Sequence, residues 1–181
     1  MPAAKHKSQR VAVFIDVQNL YHSAKNIFGA RVNFKEVLRH AVAGRQLVRA
    51  FAYVVRSDET PGETAFFDAL EHLGIDLRLK SLQVFPGGMK KADWDVGMSV
   101  DAIRLSPSVD TVVLATGDGD FLPLVEYLQG QGKQVEVFAF AKSASGRLKE
   151  EVDGFVDLGE NSSKFLMPIG GERTRRRTSS R

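Results

Sequence analysis

Short apolar runs recur along the chain, and between them apolar residues return every third or fourth position. Val11-Ala12-Val13-Phe14-Ile15 is such a run, ending in Asp16, and its continuous apolarity predicts a strand buried on both faces. A helix is predicted over about 19–28. Asn33 followed by Glu36 has the form of a capping box and opens a second helix, with Phe34, Val37, Leu38 and Ala41 on one face. Residues 46–56 predict a strand. Thr60 and Pro61 predict a cap and first-turn proline for a helix to about Leu73, stopped by Gly74. Residues 76–85 place Leu77, Leu79 and Leu82 as a half-exposed strand would. Pro86, Gly87 and Gly88 predict a loop over 86–92.

Residues 94–105 predict a helix with Asp93 as its cap and Val96, Val100 and Ile103 as its buried stripe. Residues 111–116 predict another buried strand. A helix over 121–132 follows, with Pro123 in its first turn. A strand over 133–140, a helix over 143–154 and a short strand over 155–158 complete the pattern. Strands alternating with helices of this length predict an α/β fold, a three-layer sandwich with a mostly parallel central sheet.

The chain has 181 residues, enough for one domain and a tail. Its 25 Lys and Arg against 22 Asp and Glu give a net charge of +3, which at first suggests a polyanion-binding surface. The distribution corrects that impression, because residues 1–10 carry +3, residues 170–181 carry +4 and the body between them carries −4. The expected organisation is a basic, disordered N-terminus (1–10), a folded domain (11–160) and a basic, disordered tail (161–181). There are no cysteines, which excludes disulfides and thiolate zinc sites and suits a cytoplasmic location. No apolar run reaches the roughly 18 residues of a membrane span, and the first ten residues lack the apolar stretch of a secretory signal.

In an open α/β sheet, sites form beyond the carboxyl ends of the strands. The first strand ends at Asp16 with Asn19 just beyond, and residues 111–116 run into Thr116-Gly117-Asp118-Gly119-Asp120. Taken singly, Asn19 is a helix cap, and Asp118 and Asp120 are a turn acid and a cap. Taken together, and if the two strands are neighbours at the switch point, their carboxylates converge on one rim. Crowded like charges call for a cation, and oxygen ligands favour Mg²⁺ or Mn²⁺ over zinc. Asp95 borders the apolar stripe of its helix beside Ser99 and Ala102, making it the next candidate. Asp101 lies on the opposite border, within reach of Arg104.

The segments FIDVQNLY, KKADWDVGMSVDAIRL and TVVLATGDGDFLPLVEYLQGQGKQVEVF resemble the NYN domain, in particular its LabA-like bacterial branch, from about Val11 to Leu158. The resemblance implies a PIN-like fold and metal-dependent RNA cleavage leaving 5′-phosphate and 3′-hydroxyl ends. It also implies an acidic pocket of Asp16, Asp95, Asp118 and Asp120, with Asp101 matching a further acidic position. Asn19 and Thr116 match polar positions lining that pocket, Asn19 counting with the four pocket acids as catalytic. Val17-Gln18 departs from the pattern, since a small residue commonly follows the first aspartate.

The expected activity is therefore that of a ribonuclease. Asp16 and Asp118 would hold Mg²⁺ or Mn²⁺ directly, and Asp95 and Asp120 through water or at a second site ~4 Å away. RNA is the expected partner, with DNA and a second copy of the chain left open and no membrane contact. Arg56, Lys90, Lys91, Arg147 and Lys149 are candidate phosphate contacts. Trp94 is a candidate base-stacking residue, with a half-buried core position as its alternative. A non-catalytic regulatory or RNA-binding protein retaining the pocket is the alternative function. A haloacid-dehalogenase-type phosphatase is disfavoured, because Gln18 stands where that chemistry needs an acid. His6, His22, His40 and His72 show no zinc-ligand spacing, and nucleophile-elbow and P-loop motifs are absent.

Overall fold

The structure is a computed structural model describing residues 4–56, 61–88 and 90–169, apart from the side chains of Val84, Lys90 and Lys91. In chain order its elements are β1 (Arg10–Asp16), α1 (Val17–Phe28), β2 (Ala30–Val32), α2 (Phe34–Val42), β3 (Gln46–Arg56), α3 (Glu63–His72) and β4 (Asp76–Ser81). They continue with β5 (Gln83–Val84), β6 (Lys90–Lys91), α4 (Asp95–Leu105), β7 (Thr111–Ala115) and α5 (Leu122–Gly130). The last are β8 (Gln134–Ala139), α6 (Gly146–Glu151), β9 (Gly154–Asp157), α7 (Ser162–Phe165) and β10 (Leu166–Pro168).

Six strands form one parallel sheet in the order β4-β3-β1-β7-β8-β9. The chain builds outward from β1 through β3 to β4, then restarts at β7 on the other side of β1. β1 and β7 therefore flank the switch point, with Ile15 opposite Ala115. Alternation along β1 sends Val11, Val13 and Ile15 into a core with Leu20, Val37 and Leu70, and sends Ala12 and Phe14 into a second core with Met98, Val125 and Leu148. α1, α2 and α3 cover the first face, and α4, α5 and α6 cover the second. This is the expected three-layer α/β sandwich. No helix of the described residues is long and apolar enough to cross a membrane.

Several local expectations change. Asn33 does cap α2, its Oδ1 accepting the Glu36 N–H at 3.3 Å. Thr60 lies outside the described residues, and α3 starts later, behind Gly62 at φ +83°, a left-handed conformation that glycine adopts without strain. The strand expected over 76–85 breaks after Ser81, and β5 pairs antiparallel with β6 across the segment expected to be a plain loop. The folded body also runs past 160: β10 pairs antiparallel with β2, and Phe165 is buried in the first core. At the other end, Lys5 meets Glu136 at 3.3 Å and Gln9 bonds Gln134, so the described N-terminal residues rest on β8.

The largest correction concerns α4. Val96, Val100 and Ile103 are 75%, 42% and 39% exposed, while Met98 and Ala102 are fully buried. The helix is turned about half a revolution from its expected orientation. It is apolar on nearly every side, so periodicity alone does not choose a face. Its polar groups decide. Asp101 accepts from Tyr53 on β3 and from Arg78 on β4, which holds that flank against the sheet. Asp93 is not a side-chain cap: Trp94 occupies the cap position, its carbonyl accepting the Met98 N–H.

Candidate metal centre

Asp16 closes β1 and belongs to the same strand face as Ala12 and Phe14, so its side chain turns toward the α4 layer. Its Oδ1 accepts the Asn19 N–H at 3.1 Å, capping α1, and its Oδ2 accepts the Thr116 hydroxyl at 3.1 Å. Thr116 is fully buried, and its Oγ1 also accepts the Asp118 N–H at 3.3 Å. The Asn19 side-chain oxygen accepts the Gly117 N–H at 2.9 Å. Asp118 caps the short turn Gly119–Phe121, its Oδ1 accepting the Asp120 N–H at 2.9 Å. The caps are Asp16 and Asp118, where the sequence allowed Asn19 and Asp120 those roles, and capping fixes the two carboxylates rather than exhausting them.

Asp95, in the first turn of α4, completes the group. Carboxylate oxygens of Asp95, Asp118 and Asp120 lie within 4.8 Å of one another. None of the three is in an ion pair among the described residues. Burial pushes the Asp95 carboxyl above its ordinary pKa, and the charges of Asp118, Asp93 and Asp120 push it further, against a smaller pull from Lys80. Asp16 is pushed up to about 6, chiefly by burial, with Asp95 and Asp118 adding to it and the bonds from Asn19 and Thr116 opposing it. Converging oxygens, mutual repulsion and no paired cation are the donor set that a hard divalent ion fits.

Two glycines make this packing feasible. A Cβ on Gly117 would stand 3.0 Å from Ala144 Cα, and one on Gly119 would stand 2.9 Å from Ser145 Oγ. The Gly117 carbonyl accepts the Ser145 N–H at 2.9 Å. The 141–146 segment thus lies directly against the acidic turn. Two glycines interleaved with aspartates at a strand end are the sequence signal of this close backbone approach.

Asp101 stands apart from the three converging acids. Its carboxylate is occupied by Tyr53 at 2.9 Å and Arg78 at 3.1 Å, where Arg104 was the expected partner. Arg56 ends β3 with its guanidinium 5.9 Å from the centre of the Phe67 ring. Lys149 donates to the Ala141 carbonyl at 3.1 Å, and Arg147 is exposed on α6. Lys90 and Lys91 form β6, but their side chains lie outside the described residues. Trp94 is half-buried, donating through Nε1 to the Val54 carbonyl at 2.9 Å and meeting Tyr53 edge-on. Lys80, near the carboxyl end of β4, lies over the Trp94 ring and was missed.

Residues 10–159 match the NYN domain family. The chain belongs to that family. As an NYN protein it is similar to "Low amplitude and bright protein LabA" of Synechococcus elongatus, at 28% identity over 163 residues covering 85% of this chain and 86% of that one. It is also similar to protein MJ0482 of Methanocaldococcus jannaschii, at 29% identity over 87% of this chain and 59% of that longer protein. A crystal structure of VPA0982 from Vibrio parahaemolyticus, titled as a protein of unknown function, superposes with a TM-score of 0.81. It is 32% identical and covers 91% of this chain and 99% of its own. This is a LabA-like NYN domain, with the PIN-like α/β sandwich of that superfamily.

Proposed function

We propose that this NYN domain is a metal-dependent ribonuclease that hydrolyses RNA phosphodiester bonds. The observation that carries the reading is the convergence of Asp95, Asp118 and Asp120 at the β1/β7 switch point. These residues would hold Mg²⁺ or Mn²⁺, with Asp16 as the fourth carboxylate of the pocket. When bound, the ion supplies water activation near neutral pH and neutralises charge on the phosphoryl oxygens. The chain's own residues prepare the site for it. Asn19 and Thr116 orient Asp16, the Asp120 N–H orients Asp118, and Gly117 and Gly119 let the 141–146 segment close one side of the turn.

RNA hydrolysis breaks the P–O3′ bond, leaving a 3′-hydroxyl and a 5′-phosphate. The test is cleavage of 5′-labelled single-stranded RNA with Mn²⁺ or Mg²⁺ by the wild type, Asp118→Asn and Asp16→Asn, together with Mn²⁺ titration calorimetry. Wild-type cleavage that EDTA stops and either substitution reduces at least 100-fold is expected. Equal cleavage by all three proteins overturns the reading. Mn²⁺ binding without cleavage supports the non-catalytic alternative instead.

A further inference from the structure

The acidic rim repels a polyanion, so a substrate strand needs fixed positive charge beside it. Most cations of the sheet and its flanks are engaged elsewhere. Arg78 is paired with Asp101, Arg49 with Asp76 and Arg10 with Asp110. Lys80 differs. It is the penultimate residue of β4, opposite Val55 of β3, and so lies at the same strand-end rim as Asp16 and Thr116. Its Nζ donates to the Asp93 carbonyl at 2.8 Å and stands 4.5 Å from the centre of the Trp94 ring. That ring is itself tied to Val54. A lysine ordinarily carries its charge on a freely rotating stem, but here an aromatic face and a carbonyl fix it. Among the described residues it has no carboxylate within ion-pair distance. One of its three N–H donors is used, leaving others for a ligand.

We propose that Lys80 is the substrate-positioning cation of this site, its ammonium binding a phosphate oxygen of the nucleic-acid strand that lies across the Asp95 side of the rim. The inference rests on the nuclease reading and names how the strand is held. The carbonyl that Lys80 bonds belongs to Asp93, two residues before Asp95 in the chain. Trp94 and the Asp93 carbonyl hold the ammonium in place before the substrate arrives, so little side-chain entropy is lost on binding.

The test uses the full chain as wild type, Lys80→Met and Lys80→Arg. Binding of a fluorescein-labelled 12-nucleotide RNA is followed by anisotropy in Ca²⁺ across a salt series, alongside Mn²⁺ calorimetry and steady-state cleavage. Lys80→Met is expected to weaken RNA binding and raise KM by about 5- to 20-fold, with kcat within about 3-fold and a salt slope smaller by about one. Mn²⁺ binding should be unchanged or a few-fold tighter, since a repelling charge is gone. Lys80→Arg should restore most RNA affinity. RNA affinity and salt slope equal to wild type in Lys80→Met overturn the inference. So does a joint loss of Mn²⁺ and RNA binding, which makes Lys80 a structural prop of the Asp93–Asp95 turn. A wild type that binds Mn²⁺ but neither binds nor cleaves RNA overturns the nuclease reading itself, before any substitution is compared.

Discussion

The hydroxyl of the buried Thr116 stands 3.1 Å from Oδ2 of the half-buried Asp16 and joins the ends of β1 and β7 through one hydrogen bond. The same oxygen accepts the Asp118 N–H, so it couples two of the pocket's acids. Thr116→Val keeps the shape of the side chain but removes both bonds. It is expected to lower RNA cleavage at pH 7 by about 10- to 100-fold and to move the acid limb of the pH–rate profile upward, because Asp16 loses a donor that favours its charged form. Thr116→Ser should retain most activity. Unchanged profiles for Thr116→Val would show that the bond has no part in holding the pocket.

Asp16 is strained by its own charge in the metal-free protein. Its folded pKa is about 6 against an ordinary 3.8. Between those values the folded state keeps a proton that the unfolded state has released. Stability therefore falls as pH rises through that window and stays lower above it. Asp16→Asn in EDTA is expected to stabilise the fold at pH 7.5 by about 1–3 kcal/mol, and by much less at pH 3.5. Thermal unfolding at the two pH values checks this, and equal destabilisation at both would refute it. The same variant should lose RNA cleavage, so function and stability move in opposite directions.

Substitution at the two turn glycines should separate backbone crowding from side-chain crowding. In Gly117→Ala the new methyl meets the backbone of Ala144, whereas in Gly119→Ala it meets the Ser145 hydroxyl. That hydroxyl accepts the Leu148 N–H at the start of α6 and can rotate only by loosening the cap. Gly117→Ala is expected to cost about 2–3 kcal/mol and Gly119→Ala about 1 kcal/mol. Denaturant titration gives both values, with Mn²⁺ affinity falling in the same order. A larger loss in Gly119→Ala would reverse the assignment.

A buried ion pair lies outside the acidic site. Arg45 meets Glu136 at 2.7 Å, with both side chains almost fully enclosed, and also donates to the carbonyls of Ala41 and Val42. Removing one partner strands the other charge. Glu136→Leu is expected to lower stability by about 3–5 kcal/mol, and Arg45→Met added to it should recover much of that loss. Chemical denaturation of the single and double variants tests the coupling, and additive losses would contradict it.

The strands were the most legible part of the sequence. Val11–Ile15 and Val112–Ala115 are apolar on both faces because helices cover both sides of the sheet. The acids at their ends were visible for the same reason, since strand ends define the rim. The orientation of α4 was not legible, because Val96, Val100 and Ile103 compete with Met98 and Ala102 for the core. What settles it is the approach of Asp101 to Tyr53 and Arg78, contacts spanning 48 and 23 residues. Lys80 was hidden for a related reason. A single lysine in an alternating strand reads as a solvated position until Trp94 folds beneath it. The Arg45–Glu136 pair, 91 residues apart, left no local pattern at all.

The central claim is that Asp95, Asp118 and Asp120 form a divalent-cation centre, and anomalous diffraction from Mn²⁺-soaked crystals tests it most directly. The account predicts a manganese peak enclosed by the carboxylate oxygens of those three residues, at about 2.0–2.3 Å from at least one of them. Saturating Mn²⁺ with no peak among these carboxylates, or a peak only elsewhere on the surface, would contradict it.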